Sequence, residues 1–235
     1  MDFSELDTHI DRVGSERAVA ALGPWLTEER RDKIEQLLAG RLDSVHVAVE
    51  RPEDPYNAAA IVRTAEALGA LHVHAVTGPL APSGARAHKG ETALHARRTT
   101  QGSFNWLHTY HHAFLSELVT PLAAQGVRIC GALMGGTHRL EDVPVDAPLC
   151  LLFGNEKTGL SSEALAACDL TFRIPMYGMS ESLNLSVSAS LALYSITNRR
   201  RALLRAEGDL QGERLMRERA RYYARCVDER TVLAL

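Results

Sequence analysis

Nowhere in its 235 residues does the chain carry a run approaching the eighteen or so consecutive apolar residues that a membrane-spanning helix needs. Its start, MDFSELDTHIDR, is acidic and polar and lacks the basic region and apolar stretch of a signal peptide. Together these absences predict a soluble, cytoplasmic protein. Cysteine is scarce: Cys130, Cys150, Cys168 and Cys226 are too few and too widely spaced for a disulfide scaffold, and no pair has CxxC spacing. Reduced, mostly buried thiols are expected. Lysine is scarcer still, because of 26 basic residues only Lys33, Lys89 and Lys157 are lysine, leaving arginine, the better fork for phosphate. No GxGxxG follows a strand-like run and no GxxxxGK[ST] occurs, which disfavours a dinucleotide or triphosphate enzyme. Histidines cluster at His72, His74, His108, His111 and His112, yet no carboxylate or cysteine sits at ligand spacing and HVH alternates as strand surface would, so no metal site is expected.

What is present reads as globular: 46% hydrophobic and 23% charged residues exclude intrinsic disorder and a fibrous repeat. The formal charge of −3 is unevenly spread, since Arg199 to Arg225 holds nine arginines against Glu207, Asp209, Glu213 and Glu218. A polyanionic partner is compatible with that segment; Tyr222 and Tyr223 among the arginines suit stacking on bases, or packing of the tail against a partner subunit.

Residues 1–40 read as a helical extension, with Thr27 an N-cap for EERRDKIEQLLAG and Gly40 a stop. The strand VHVAVE (Val45 to Glu50) precedes a helix AAAIVRTAEAL, capped by Asn57 and ended by Gly69, and the strand LHVHAV (Leu71 to Val76). That order is a crossover unit, which makes the strands parallel. Further apolar runs at Val127–Leu133, Pro148–Phe153 and Leu170–Pro175 extend an α/β sheet of five or six strands, mostly parallel with helices on both faces. The segment 78–102 reads as a surface loop with a short helix. A long helix from Leu183 leads to a basic helical tail, giving an extension over 1–40, a main domain over 41–205 and a tail over 206–235.

In open parallel sheets ligands bind beyond the carboxyl ends of the strands. Three loops there are specific: ERPEDPYNAAAIVRTAEALG, LLFGNEKTGLSSEAL and IPMYGMSESLNLSVSAS. The second puts Gly154 where backbone can approach a ligand, then Glu156, Lys157 and Gly159 before a Ser161 N-cap. The third interrupts an apolar context with backbone donors and acceptors, which a mere connector seldom needs. Taken singly, Arg63 with Glu66 is an ordinary i, i+3 pair, Asn57 a cap, Glu156 a loop charge, and Ser182 and Asn184 caps of the last long helix.

Together these stretches resemble the three motifs of the SpoU-type RNA ribose 2′-O-methyltransferases of the SPOUT superfamily (class IV): Asn57 with Arg63, Glu156 in LFGNEKTGLS, and Ser182 with Asn184. The resemblance covers roughly residues 30 to 205. It is nearest to the TrmH-like branch that methylates guanosine 18 in the tRNA D-loop. It implies a deep C-terminal trefoil knot, a homodimer, S-adenosylmethionine as cofactor and RNA, most of all tRNA, as partner. By position it implies catalytic roles for Arg63, Asn57, Glu156, Ser182 and Asn184, and cofactor contacts from Gly131, Leu133, Gly154, Ile174, Met176 and Leu183. Whether Arg63 removes the proton or stabilises the alkoxide is open, although a guanidinium resists deprotonation below about pH 12. Glu53, Asp54 and Glu181 depart from the branch by adding negative charge near the motifs. Ribosomal RNA is the alternative substrate. A non-catalytic knotted RNA-binding protein and a small-molecule methyltransferase are alternatives of other classes.

Overall fold

The computed structural model of the chain describes residues 3–78, 100 and 102–235. The loop expected over 78–102 lies, except for Gly78, Thr100 and Gly102, outside the described residues. The chain divides into two compact units, one formed by Met1–Arg41 with Glu207–Leu235 and the other by Leu42–Ala206.

The first unit is helical: α1 (Phe3–Val13), α2 (Ser15–Leu22) and α3 (Glu28–Ala39) pack with α8 (Gly212–Cys226), and α9 (Glu229–Leu233) ends the chain. Thr27 caps α3 by accepting from the Arg30 N–H at 3.2 Å. Here the structure differs from both uses open to the tail's tyrosines, stacking on bases and packing against a partner subunit. Tyr222 and Tyr223 are buried within the unit, the former receiving a hydrogen bond from Arg41 Nε at 3.0 Å. The α8 arginines are largely engaged as well: Arg217 pairs with Asp11, Arg219 with Glu35, and Arg221 with Asp7 and Glu218. The unit as a whole carries twelve basic and fifteen acidic residues, so the local excess of arginine is neutralised by its own neighbours.

Among the described residues the second unit holds seven strands, β1 (Leu42–Glu50), β2 (Ala70–Val76), β3 (His108–His112), β4 (Arg128–Ala132), β5 (His138–Arg139), β6 (Leu149–Phe153) and β7 (Leu170–Arg173). Their order is β3-β2-β1-β6-β4-β7-β5 and every pairing is parallel. The five apolar runs read from the sequence all contain strands, and the sheet exceeds the expected five or six because of two more: β3 is built of HTYHH, which lacks an apolar run, and β5 is two residues long.

Helices α5 (Leu115–Ala124) and α6 (Ser162–Ala167) cover one face, where Leu115, Leu118, Leu122 and Ala164 pack on Ala48, Cys150, Leu152 and Ile129. Alternation turns Val47, Val49 and Leu151 to the other face, against α4 (Pro55–Leu68) and α7 (Leu185–Leu204). These two helices pack on each other, with a Thr64–Ser190 hydroxyl contact of 3.0 Å between them, and carry buried Ala58, Ala59, Ala65, Ala189 and Ala192. Small side chains let their backbones approach closely. Because the central strands are covered on both faces, they read as continuous apolar runs rather than alternating ones.

His72 and His74 are buried, which corrects their expected place on a strand surface. Register aligns His46, His72 and His108 across β1, β2 and β3, and sets His74 beside Tyr110. The rings stack, at 4.2 Å for His46 on His72 and 4.6 Å for His74 on Tyr110. A hydrogen-bonded row runs from His46 Nδ1 to His74 Nε2 at 3.0 Å and from His74 Nδ1 to His112 Nε2 at 3.1 Å. His72 Nε2 meets Asp43 at 2.7 Å. Burial, then the neighbouring His46, His72, His112 and His108, push His74 well below the usual imidazole value of 6.5, and burial lowers His112 against the opposing pull of Glu117.

A histidine depressed in the folded state binds its proton more readily when unfolded, so stability is present above pH 6.5 and declines as pH falls through that value. Urea unfolding of the wild type is expected to weaken between pH 7.5 and 5.5, by up to about 1.4 kcal/mol per pH unit for each extra proton taken up on unfolding. His74→Leu should flatten that slope; an unchanged slope would remove the imidazole row from the explanation.

Candidate active site

At the carboxyl end of β1 the chain turns through Arg51 to Asp54, which caps α4 by accepting from the Tyr56 N–H at 2.8 Å. Asn57 is therefore not the cap but a residue of the first turn, buried to 7% exposure. Relieved of capping, its amide bridges the other two loops. Nδ2 donates to Glu156 Oε1 at 3.0 Å, while Oδ1 accepts from Asn184 Nδ2 at 3.1 Å. Asn184 is the N-cap of α7, its Oδ1 accepting from the N–H groups of Ser186 and Val187. Capping and bridging thus use different atoms of one side chain.

Glu156 receives three donors: the Asn57 amide and the N–H groups of Glu53 (3.1 Å) and Asp54 (3.3 Å). Partial burial opposes its charge, but these hydrogen bonds outweigh that and hold the carboxyl below its ordinary range. Glu53 is occupied by Lys157 at 2.7 Å and Asp54 by the helix cap. The two acids that set the first loop apart from the branch it resembles are thereby spent on local structure.

The second loop is a tight structure of its own. Asn155 and Gly159 exchange two backbone hydrogen bonds of 3.1 and 2.9 Å, and Asn155 Oδ1 accepts from the N–H groups of Lys157 and Thr158. Gly154 runs against the returning chain so closely that a Cβ there would lie 2.1 Å from the Gly159 carbonyl carbon. Two contacts fasten this loop to the first: Asn155 Nδ2 to the Arg51 carbonyl (2.8 Å), and the Ser161 N–H to Glu50 Oε2 (2.9 Å). Ser161 caps α6, as its sequence position predicts.

Beside the junction lies a cleft of about 660 Å³, within the range of small-molecule sites. Leu133, Gly154, Ile174, Met176 and Leu183 line it, as do Glu156, Ser182 and Asn184. Three of the expected residues do not. Gly131 is buried inside β4, where an added Cβ would meet Cys168 Sγ at 2.6 Å, so its smallness serves packing. Asn57 stands behind Glu156. Arg63 is exposed on α4 and, among the described residues, forms no ion pair with Glu66. Sequence reasoning passed over Glu50, Arg51 and Asn155; the available signal was a charged pair closing an otherwise apolar strand. Among the described residues no group of three or more His, Cys, Asp or Glu side chains is arranged to hold a metal ion.

The parallel sheet, the three loops at its carboxyl edge and the amide–carboxylate junction beside a cleft define a ligand-binding α/β domain with motifs of RNA methylases. The chain belongs to the SpoU rRNA methylase family, whose model matches residues 44–194. It is 36% identical over 175 residues to the tRNA (guanosine(18)-2′-O)-methyltransferase of Thermus thermophilus, covering 74% of this chain and 84% of that one. It is 35% identical over 172 residues to the enzyme of the same name from Escherichia coli, covering 73% and 70%. Among solved structures it resembles the TrmH/SpoU tRNA-modifying enzyme of A. aeolicus, with a TM-score of 0.70 and 25% identity over 86% of this chain and 98% of that one. It also resembles the SpoU methyltransferase AviRb of Streptomyces viridochromogenes in complex with AdoMet, with a TM-score of 0.58 and 29% identity over 68% and 59% of the chains.

Proposed function

We propose that this chain transfers a methyl group from S-adenosylmethionine to a ribose 2′-hydroxyl of tRNA, at guanosine 18 of the D-loop. The observation that carries the reading is the Glu156–Asn57–Asn184 junction, which joins all three motif loops at the wall of a cleft of cofactor size. The names of the Thermus and Escherichia relatives support the nucleotide.

The cleft suits the cofactor. Leu133, Ile174, Met176 and Leu183 would enclose its adenine, and the close turn at Gly154 would bring backbone against it. Glu156, ionised at neutral pH, places a negative charge on the wall that would receive a sulfonium cation. When bound, S-adenosylmethionine supplies an electrophilic methyl group. The chain's own tasks are to orient the ribose and to stabilise the oxygen as it loses its proton. Arg63 serves the second as a fixed positive charge facing the developing alkoxide, with a phosphate oxygen or water taking the proton. Asn57 sets Glu156 and Asn184 in register, and Ser182, exposed at the cleft mouth, offers a hydroxyl to the ribose or cofactor.

The reading extends to a trefoil knot at the carboxyl end of the sheet, supported by family membership and by the late strand β6 inserted between β1 and β4. It places the reaction with its tRNA substrate in the cytoplasm; no helix among the described residues is long and apolar enough to cross a membrane. It includes a homodimer. Val187, Leu191 and Tyr194 form an exposed apolar stripe on α7 at 45%, 45% and 63% exposure, which a second copy would cover. Leu191→Glu is expected to shift light scattering from a dimer to a monomer of about 26 kDa, whereas a wild type already monomeric would reject the dimer.

The test is labelled-methyl transfer to an unmodified tRNA transcript, to the same transcript with guanosine 18 replaced, and to ribosomal RNA fragments. Transfer to the first alone is expected; transfer only to ribosomal RNA would move the substrate, and silence on all three would favour a binding protein.

A further inference from the structure

Only two non-glycine residues among the described ones have positive φ: Arg205, at 53°, and Arg51, at 50°. The first closes α7 at its C-cap, a usual place for a left-handed residue. The second is different. Arg51 sits at the head of the loop that leads to Asn57, and its backbone is tied on both sides. Its N–H donates to the Val76 carbonyl at 2.7 Å and its carbonyl accepts from Asn155 Nδ2 at 2.8 Å. Those two bonds hold it in the left-handed region, where glycine is free of strain and arginine is not.

An arginine kept where glycine fits better points to a use for its side chain. The guanidinium is 62% exposed, so burial does not explain it. It is nevertheless fixed in place. Nη2 donates to Glu50 Oε1 at 3.1 Å, and that carboxylate, only 5% exposed, is anchored in turn by the Ser161 N–H at 2.9 Å. One edge of the fork is held by a buried acid while the remainder faces solvent at the rim of the motif loops. A planar guanidinium pre-oriented in this way matches the geometry of a phosphate oxygen pair.

We propose that Arg51 is a substrate-contacting residue that binds a backbone phosphate of the RNA, with Glu50 as the positioning residue that aims it. The inference rests on the RNA methyltransferase reading above. It assigns the strained turn after β1 to holding the nucleic acid strand, separate from Arg63, which acts on the hydroxyl.

The experiment measures binding of a full-length tRNA transcript to the intact protein by fluorescence anisotropy, across a series of KCl concentrations, for the wild type, Arg51→Gly and Arg51→Lys. Glycine relieves the left-handed strain, so Arg51→Gly is expected to melt at or above the wild-type temperature. It should nonetheless bind tRNA about three- to tenfold more weakly at moderate salt and reduce the slope of log K against log salt by about one. S-adenosylmethionine affinity should be unchanged, and lysine should restore the slope but only part of the affinity. Should Arg51→Gly melt lower because Glu50 has lost its partner, Glu50→Gln with Arg51→Gly removes the unpaired buried charge and the RNA comparison is made there. An unchanged tRNA affinity and salt slope would overturn the proposal, as would a change in oligomeric state that accounts for the loss. If the wild type itself fails to bind tRNA, the reading it rests on has failed instead.

Discussion

Arg63→Ala is expected to lower kcat for RNA methylation by about two to three orders of magnitude while leaving the S-adenosylmethionine Kd within about twofold. The size follows from the charge. A developing alkoxide in a site closed by substrate is stabilised by a fixed cation by roughly the amount that one oxyanion donor supplies elsewhere. The selectivity follows from position, because Arg63 lies outside the cleft that would hold the cofactor. Stability should be untouched, within about 0.5 kcal/mol, since the side chain is exposed and leaves no buried acid behind. Lysine at the same position keeps the charge without the fork and should recover part of the rate. Single-turnover rates with calorimetric cofactor binding separate the two effects. A large loss of cofactor affinity would place Arg63 in cofactor binding.

Gly154→Ala is the second large effect. An added methyl carbon would lie 2.1 Å from the Gly159 carbonyl carbon and 2.2 Å from the Leu160 nitrogen, both backbone atoms that no rotamer can move. The loop must open, breaking the Asn155–Gly159 exchange and displacing Glu156 from Asn57. A loss of about 3 kcal/mol in stability is expected from overpacking of this kind. Cofactor affinity should fall more than tenfold, because the same turn forms the cleft wall. Gly159→Ala is the control: with φ at 68° but nothing within 4 Å, it meets strain without collision. It should cost about 1–2 kcal/mol and largely spare cofactor binding. Equal effects from the two substitutions would mean that the close approach at Gly154 is not what shapes the cleft.

Much of this site is legible in the sequence. The loops stood out because Gly, Asn and Ser interrupt apolar strands at the edge where parallel sheets bind ligands, and they converge there. Asn57 shows the limit of local rules. Asparagine before an alanine-rich helix reads as a cap, yet Asp54 three residues earlier takes that role and Pro55 opens the helix, leaving Asn57 for a contact 99 positions away. No local pattern encodes such a contact. The strand β3 was hidden for a related reason, since its histidines and tyrosine gain their place only by stacking on the histidines of β2. The arginines of the tail misled by their number. Their partners Asp7, Asp11 and Glu35 come from the opposite end of the chain, so the charge balance exists only after folding.

The property that defines this enzyme is methylation of a ribose oxygen rather than a base. Labelled tRNA product, hydrolysed completely in alkali, distinguishes the two, because a 2′-O-methyl group removes the hydroxyl that attacks the neighbouring phosphodiester. Label is expected in an alkali-resistant dinucleotide whose 5′ member is 2′-O-methylguanosine; label recovered in mononucleotides would contradict ribose methylation.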